Sequence, residues 1–531
     1  MDKKTIIKFN ILAILCIVIF CIALTPVSLQ NDTFYTIKIG EHILQNGMTH
    51  IDSFTWHEGI PYTYPHWAYD VLIYLIFSLG GYLGIYISTA VLACVLGLLI
   101  YFTNSKITKN NLTSFILTIG SMYLLKDYIA ARAQLVTFIL FTLTLLFIEL
   151  FLSTKKKRYA IYLIIISFII ANLHVAVWPF FFVLFLPYIA EYLICTVVDL
   201  DIVGRISLFL LKFKKDENLE QKIEELKTKN LKIEEKRKAL KENPYRIKTE
   251  RNTATKWLIV IIVICLIIGA VAAFGDNPYT HLYKLTKGNS TQNINEHLPA
   301  VLINEKEFLA IILMFLGILI FTDIKIKLRD LFMIGGLLLL AFISKRQISM
   351  FVIIGSTILN KLICAFFDKY DKDGCNKYTK YVVTWLGHTM AIVIILFMSI
   401  VFIRPKLNDK FVDLNAYPVE ATKFIKENLD VDNIKLYNEY NYGSYLLLND
   451  IKVFIDSRCD LYTKEFNGEK DIFSDFINIS NINTDYETMF EKYDFTHLMM
   501  YKNAKLNLFI KRDENYNKIY EDGSFIIYER K

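Results

Sequence analysis

LQNDTFYTIKIGEHILQNGMTHIDSFTWHEGIPYTYPHWAYDVLIYLIFSLGG, residues 29–81, decides how this chain is read. The stretch lies between two apolar runs, 6–28 and 82–103, each near the roughly 20 residues needed to cross a bilayer. Asp32, Glu41, Asp52, Glu58 and Asp70 stand in it beside His42, His50, His57 and His66, with Trp56, Trp67 and several tyrosines. Titratable and aromatic side chains this dense, between two spans, point to a site at a membrane face.

The rest of the chain supplies the scaffold. Of 531 residues, 54% are hydrophobic and 14% aromatic, more than a soluble chain of this size carries in such long runs. About eleven spans are expected, near 6–28, 82–103, 111–127, 134–153, 159–177, 178–200, 255–275, 307–322, 329–344, 347–367 and 381–403. The first follows Lys3, Lys4 and Lys8, a pattern shared with cleavable signal peptides. Its length, the lack of an A-x-A site and the spans that follow favour a retained helix. The eight cysteines mostly fall in or beside apolar runs and form no C-x-x-C pair, so neither a disulfide framework nor a structural zinc site is expected.

Alternating the spans across the membrane puts the basic segments 104–110, 154–158, 201–254, 323–329 and 368–380 on one face, the cytoplasmic one by the positive-inside rule. The N-terminus then lies inside. The loops 29–81, 127–133 and 276–306, the turn 344–347 and everything after 404 lie outside. Lys345-Arg346 breaks the charge pattern. The insert around 213–253 is dense in Lys and Glu at helical spacing and reads as a cytoplasmic helix or hairpin. The expected domains are thus 1–403, transmembrane, with the loop 29–81 and the insert 201–254, and 404–531, a small extracytoplasmic α/β domain. In that tail 417–429 reads as an amphipathic helix, and IKLYNEYNYGSYLLLN, IKVFIDSR, THLMMYK and KIYEDGSFIIYER read as strands.

Several residues invite a chemical reading. Asp32 opens DTFYTIKIGEHIL, which has the spacing of a short interfacial helix; it fits an N-cap, or a carboxylate beside lipid suited to taking a proton. His66 and Asp70 share a helix face, which orients an imidazole and leaves a divalent metal open. Arg132 and Arg346, at outer membrane ends, fit either snorkelling or a clamp for a lipid phosphate. Asn172 and His174 form a polar pair in apolar sequence, and Glu296-His297 can reach the same outer region. No Walker motif, G-x-G-x-x-G loop, H-E-x-x-H or G-x-S-x-G occurs, so nothing calls for ATP, a nicotinamide cofactor or a hydrolase triad.

At these residues the chain resembles the bacterial membrane proteins related to the GT-C glycosyltransferases, the wider group of protein mannosyltransferases and aminoarabinose transferases. The resemblance runs through Asp32-Thr33-Phe34-Tyr35 with Gly40 and Ile43, Asp52-Ser53-Phe54-Thr55, His66-Trp67-Ala68-Tyr69-Asp70 and Gly80-Gly81. It continues through Arg132-Ala133-Gln134, Asn172-Leu173-His174, Asn277-Pro278-Tyr279, Ile294 to Pro299 and Arg346 to Phe351. In the tail it covers Asn438 to Leu446 and Val453-Phe454-Ile455-Asp456-Ser457-Arg458. Each motif is short; their shared order carries the resemblance. Phe34-Tyr35 replaces the family's usual tryptophan pair, and the Glu of its H-E-W is absent.

The resemblance implies an inverting transfer of a sugar from a polyprenyl-phosphate donor to an envelope glycan, lipid or protein at the outer face of a bacterial cytoplasmic membrane. Asp32 would be the base. Asp52, His66, Asp70, Arg132, Asn172, His174, Glu296 and Arg346 would bind substrate, the two arginines holding the phosphate. Tail residues Asn438, Tyr445, Asp456 and Arg458 would contact the acceptor or fix the domain's fold. Two other classes stay open: a flippase for lipid-linked saccharides using the same cavity, and a scaffold for envelope assembly.

Overall fold

The computed structural model of the protein describes residues 2–199, 247–288 and 294–531, with scattered positions between 206 and 235. The charged insert expected as a helix or hairpin lies largely outside the described residues; its end, Ile247–Lys248, pairs in parallel with Ile326–Lys327. The chain is a multi-pass membrane protein. Among the described residues six helices are long and apolar enough to cross a bilayer: Lys3–Leu24, Trp67–Thr108, Ala133–Thr154, Val175–Val197, Lys345–Tyr370 and Trp385–Lys406. The other five expected spans are shorter apolar helices, Asn111–Leu124, Lys157–Leu173, Thr255–Val271, Lys306–Phe321 and Leu328–Ile343. The first helix packs Phe9, Leu12, Cys16, Ile17 and Phe20 into the common core of the bundle.

The boundary expected near residue 82 is a kink rather than a helix start. The helix begins at Trp67 and bends at Gly81, whose φ of 56° and ψ of −149° suit a residue without a Cβ. The segment before the kink packs on the helix Asn31–Asn46. Gly40 makes that contact: a Cβ there would lie 2.1 Å from the Asp70 carbonyl oxygen. The Asn31–Asn46 helix is amphipathic as its spacing predicts, yet Thr33 to Ile37, Ile39 and Gly40 are buried by protein. Its N-cap is Gln30, not Asp32; Asp32 lies in the first turn, where a carboxylate faces the positive end of the helix.

The tail folds around a mixed four-stranded sheet in the order Leu436–Tyr437, His497–Tyr501, Phe525–Arg530, Tyr516–Glu521. The predicted helix forms at Val419–Asn428, and THLMMYK forms the strand His497–Tyr501; KIYEDGSFIIYER, read as one strand, forms two, Tyr516–Glu521 and Phe525–Arg530. Two predicted strands do not form. Only Leu436–Tyr437 of the first is extended, and Tyr440–Leu448 is a helix. Residues 452–458 run as an irregular segment joined to Thr55 by a single bridge. Gly443 supplies the reason: a Cβ there would lie 2.0 Å from the Ile455 carbonyl oxygen, so helix and segment pack backbone to backbone. Tertiary contact overrides a β-rich composition.

The first loop is threaded into this tail. The indole of Trp56 donates to the Leu436 carbonyl at 3.1 Å, and His57 Nε2 donates to the Phe454 carbonyl at 2.8 Å. Trp56 stacks on Phe454, with centroids 5.7 Å apart. Asp52 accepts from the Phe54 and Thr55 amides at 3.2 and 3.0 Å and pairs with Arg458. Arg458 also pairs with Asp456 at 2.7 Å, and Tyr462 donates to Asp456 at 2.6 Å. Loop and tail consequently share one buried core. At the membrane end, Lys406 Nζ donates to the carbonyls of Ala23, Leu24 and Thr25, closing the C-terminus of the first helix. Removing one member of the buried Asp52–Arg458–Asp456 set leaves uncompensated charge, at a cost of about 3–5 kcal/mol. Arg458→Leu is therefore expected to lower the thermal midpoint of the purified protein and expose the 452–458 segment to protease. Lys423→Leu, at an exposed pair with Glu420, is expected to do neither.

Candidate functional site

Four chain turns meet above the helix bundle. Thr33 Oγ1 donates to the Ala131 carbonyl at 3.1 Å, fixing the start of the Asn31–Asn46 helix against the turn that ends at Arg132. Tyr128 donates to the Lys345 carbonyl at 3.1 Å, and the Lys345 amide donates to the Leu298 carbonyl at 2.8 Å. These bonds gather Asp32, Arg132, Glu296 and Arg346. Arg132 pairs through one guanidinium nitrogen with Asp32 and through the other with Glu296 at 3.1 Å. Arg346 has no ion-pair partner among the described residues. Although burial opposes it, Asp32 and then Glu296 raise the pKa of the Arg132 guanidinium. Burial likewise favours a neutral Glu296, but Arg132 and Arg346 outweigh it and hold the carboxyl below its usual value.

These residues line one side of a cavity of about 540 Å³, a volume suited to a small ligand or part of a larger one. Its other side is built of imidazoles. His66 and His174 lie with ring centroids 5.5 Å apart, and His174 Nδ1 bonds Thr137 Oγ1 at 3.1 Å. His281 Nδ1 donates to Asp276 at 2.7 Å, and Thr63 donates to the same carboxylate at 2.9 Å. Burial, then His281, Arg346 and Arg132, pushes His66 down to about 3. Burial and then Arg346 push His297 to about 4. The tail forms the rim with Tyr440, Ser457, Arg458 and Asp460. A second cavity of about 300 Å³ adjoins it, sharing Gln30, Arg132, Gln134, Glu296 and Arg346, and opens among Lys126, Lys345 and the apolar Phe308, Ile311 and Val352.

Of the nine predicted site residues, Asp32, His66, Arg132, His174, Glu296 and Arg346 line the larger cavity. Asp52, Asp70 and Asn172 do not. Asp52 is turned into the contact between loop and tail. Asp70 is fully buried behind the lining, with neither carboxylate oxygen hydrogen-bonded. Asn172 is spent on structure: it accepts from the Phe274 amide and the Trp67 indole and donates to the Phe168 and Ala272 carbonyls. His66 Nδ1 and Asp70 Oδ1 are 4.0 Å apart, and among the described residues no three His, Cys, Asp or Glu side chains gather as a metal-holding group. In the tail, Asn438 bonds the Phe454 amide and the Ile455 carbonyl, and Tyr445 packs on Phe34. The Asp276–His281 pair, which brackets the Asn277-Pro278-Tyr279 motif, carries no sequence spacing that announces it.

The architecture is a multi-pass helix bundle that carries a small α/β tail. No protein-family model and no curated protein sequence matches the chain. Solved structures do. The chain is similar to the archaeal oligosaccharyltransferase AglB from Archaeoglobus fulgidus, in complex with an inhibitory peptide and a dolichol-phosphate, at 11% identity and a TM-score of 0.54 over 100% of this chain and 74% of that one. An apo-form oligosaccharyltransferase of that organism superposes with a TM-score of 0.55 at 11% identity, over 99% and 74% of the two chains. A form tethered to an acceptor peptide containing the NVT sequon gives 0.52 at 12%, over 100% and 74%. At these identities the likeness is one of fold.

The histidines predict how stability depends on pH. Burial holds His57 at about 4, below the 6.5 of a free imidazole, and His66 lies lower still. Between those values the unfolded chain binds more protons than the folded one, so stability rises with pH there. The thermal midpoint is expected to fall steadily from pH 7 to pH 5, and His57→Gln to flatten that slope.

Proposed function

We propose that the protein is a glycosyltransferase that moves a sugar from a polyprenyl-phosphate carrier to an acceptor of the cell envelope, at the outer face of a bacterial cytoplasmic membrane. The observation that carries this reading is one cavity holding a carboxylate, Asp32, beside a guanidinium without a carboxylate partner among the described residues, Arg346. Such a cation is suited to a phosphate. The adjoining cavity joins the same arginine to an apolar wall, a route for a prenyl chain lying in the bilayer. The fold shared with a dolichol-phosphate-bound oligosaccharyltransferase supports the same substrate class.

In the proposed step, the acceptor hydroxyl oxygen attacks the anomeric carbon. Its proton passes to the Asp32 carboxylate, which Arg132 orients. The bond between the anomeric carbon and the phosphate oxygen breaks, and its electron pair leaves with the polyprenyl phosphate. Arg346 and Arg132 stabilise the charge that grows on that group. Attack opposite the leaving group inverts the carbon. His66, His174, Glu296 and the tail rim position the substrates and keep water out.

Purified protein given labelled polyprenyl-phosphate sugars tests the reading. Wild type should release the lipid phosphate and transfer the label, and Asp32→Asn should slow turnover by roughly 10²–10⁴-fold. Turnover that survives Asp32→Asn removes Asp32 as the base. Lipid movement across the membrane without loss of the sugar would make the protein a flippase. Arg346→Gln is expected to weaken retention of sugar-free polyprenyl phosphate by roughly tenfold, the loss of one charge-assisted bond.

A further inference from the structure

A second charged cavity lies at the other end of the same helices. Arg132 and Glu149 are joined by the helix Ala133–Thr154, and Arg346 and Lys361 by the helix Ile348–Tyr370. At 1.5 Å per residue this places the second cluster about 22–26 Å from the first, near the opposite membrane face. Its cavity measures about 320 Å³.

The charges there divide into two groups. Lys361 Nζ holds Glu149 at 2.7 Å and Asp330 at 3.0 Å, and Tyr188 donates to Glu149 at 3.1 Å. Those carboxylates are answered. Arg329 is not. Its side chain is more than nine-tenths buried, yet Glu149 and Glu191 stand 3.9 and 3.6 Å away, and its Nε has no hydrogen-bond partner. A buried guanidinium held so loosely lacks the oxygens that its fork of donors fits. Around the mouth stand Lys248, Lys325 and Lys327. Lys327 pairs with Glu250 at 2.9 Å; Lys248 and Lys325 have no ion-pair partner among the described residues. The opposite wall is apolar, from Ile107, Ile358, Leu362 and Ala365.

We infer that this cavity binds the phosphate head of an anionic glycerophospholipid. The exposed lysines draw the head from the membrane surface, Arg329 grips two phosphate oxygens, and the first carbons of the chains lie on the apolar wall. The ligand ties Leu328–Ile343, Ile348–Tyr370 and the end of the charged insert together at the face opposite the candidate site. None of this depends on glycosyl transfer.

Native mass spectrometry of the full-length protein in detergent, with phosphatidylglycerol, phosphatidylcholine and inorganic phosphate as probes, tests the inference. Phosphatidylglycerol should be retained in preference to phosphatidylcholine and should resist displacement by inorganic phosphate. Lys248→Gln with Lys325→Gln, both exposed positions, should lower its retention by roughly tenfold. Lys155→Gln with Lys156→Gln, exposed on the same face, should leave it unchanged, and Arg329→Gln should lower it further. Equal retention of the two lipids overturns the inference, as does unchanged retention in the Lys248/Lys325 variant. Displacement by inorganic phosphate also overturns it, in favour of a free-phosphate site.

Discussion

Arg458 held between Asp52 and Asp456 is the contact on which the site-bearing half of the molecule depends. One carboxylate comes from the first loop and the other from the tail, hundreds of residues later in the chain. A guanidinium buried there is stable only with both partners present. Their pairing forces the loop against the tail and brings Trp56 and His57 into the tail's aromatic core. It also sets Tyr440, Ser457 and Asp460 over the opening beside Asp32. Without that roof the residues gathered above the bundle would face open water, and their charges would be screened rather than focused.

The bundle beneath does a different task. Its helices carry cations at both membrane ends, and the two ends solve the burial of charge differently. At the end beside the tail Arg132 bridges Asp32 and Glu296, while Arg346, without an ion-pair partner among the described residues, lines the cavity. At the other end Lys361 satisfies two carboxylates and Arg329 is left with long contacts. In each case the paired cation fixes the geometry, and the less-paired one remains available to an anion. A low-dielectric surround strengthens both effects.

Much of the fold was legible before the structure, for physical reasons. Lipid demands long apolar helices, and composition registers that demand directly. Apolar residues at helical spacing gave the Asn31–Asn46 helix, and THLMMYK gave the strand His497–Tyr501. The failures have one cause. Residues 440–448 carry strand-formers, yet they coil because Gly443 lets the helix sit on the Ile455 carbonyl. Asp32 reads as a cap, but Gln30 takes that place, and Asp32 turns to an arginine a hundred residues away. Asp52, Asp70 and Asn172 read as site residues because buried and functional polar groups share one sequence signature.

The sequence by itself determined the solvent of each segment: which runs enter lipid, which loops stay with water, and which residue types could carry chemistry. Those follow from transfer free energies that act residue by residue. Only the tertiary structure decided which carboxylate meets which guanidinium. Pairing depends on where turns far apart in the chain are brought together, and here hydrogen bonds such as Thr33 to Ala131 and Tyr128 to Lys345 bring them there. The loop of residues 29–81 shows both sides. Its composition announced a site, and its packing assigned Asp32 and His66 to the cavity and Asp52 to the joint between loop and tail.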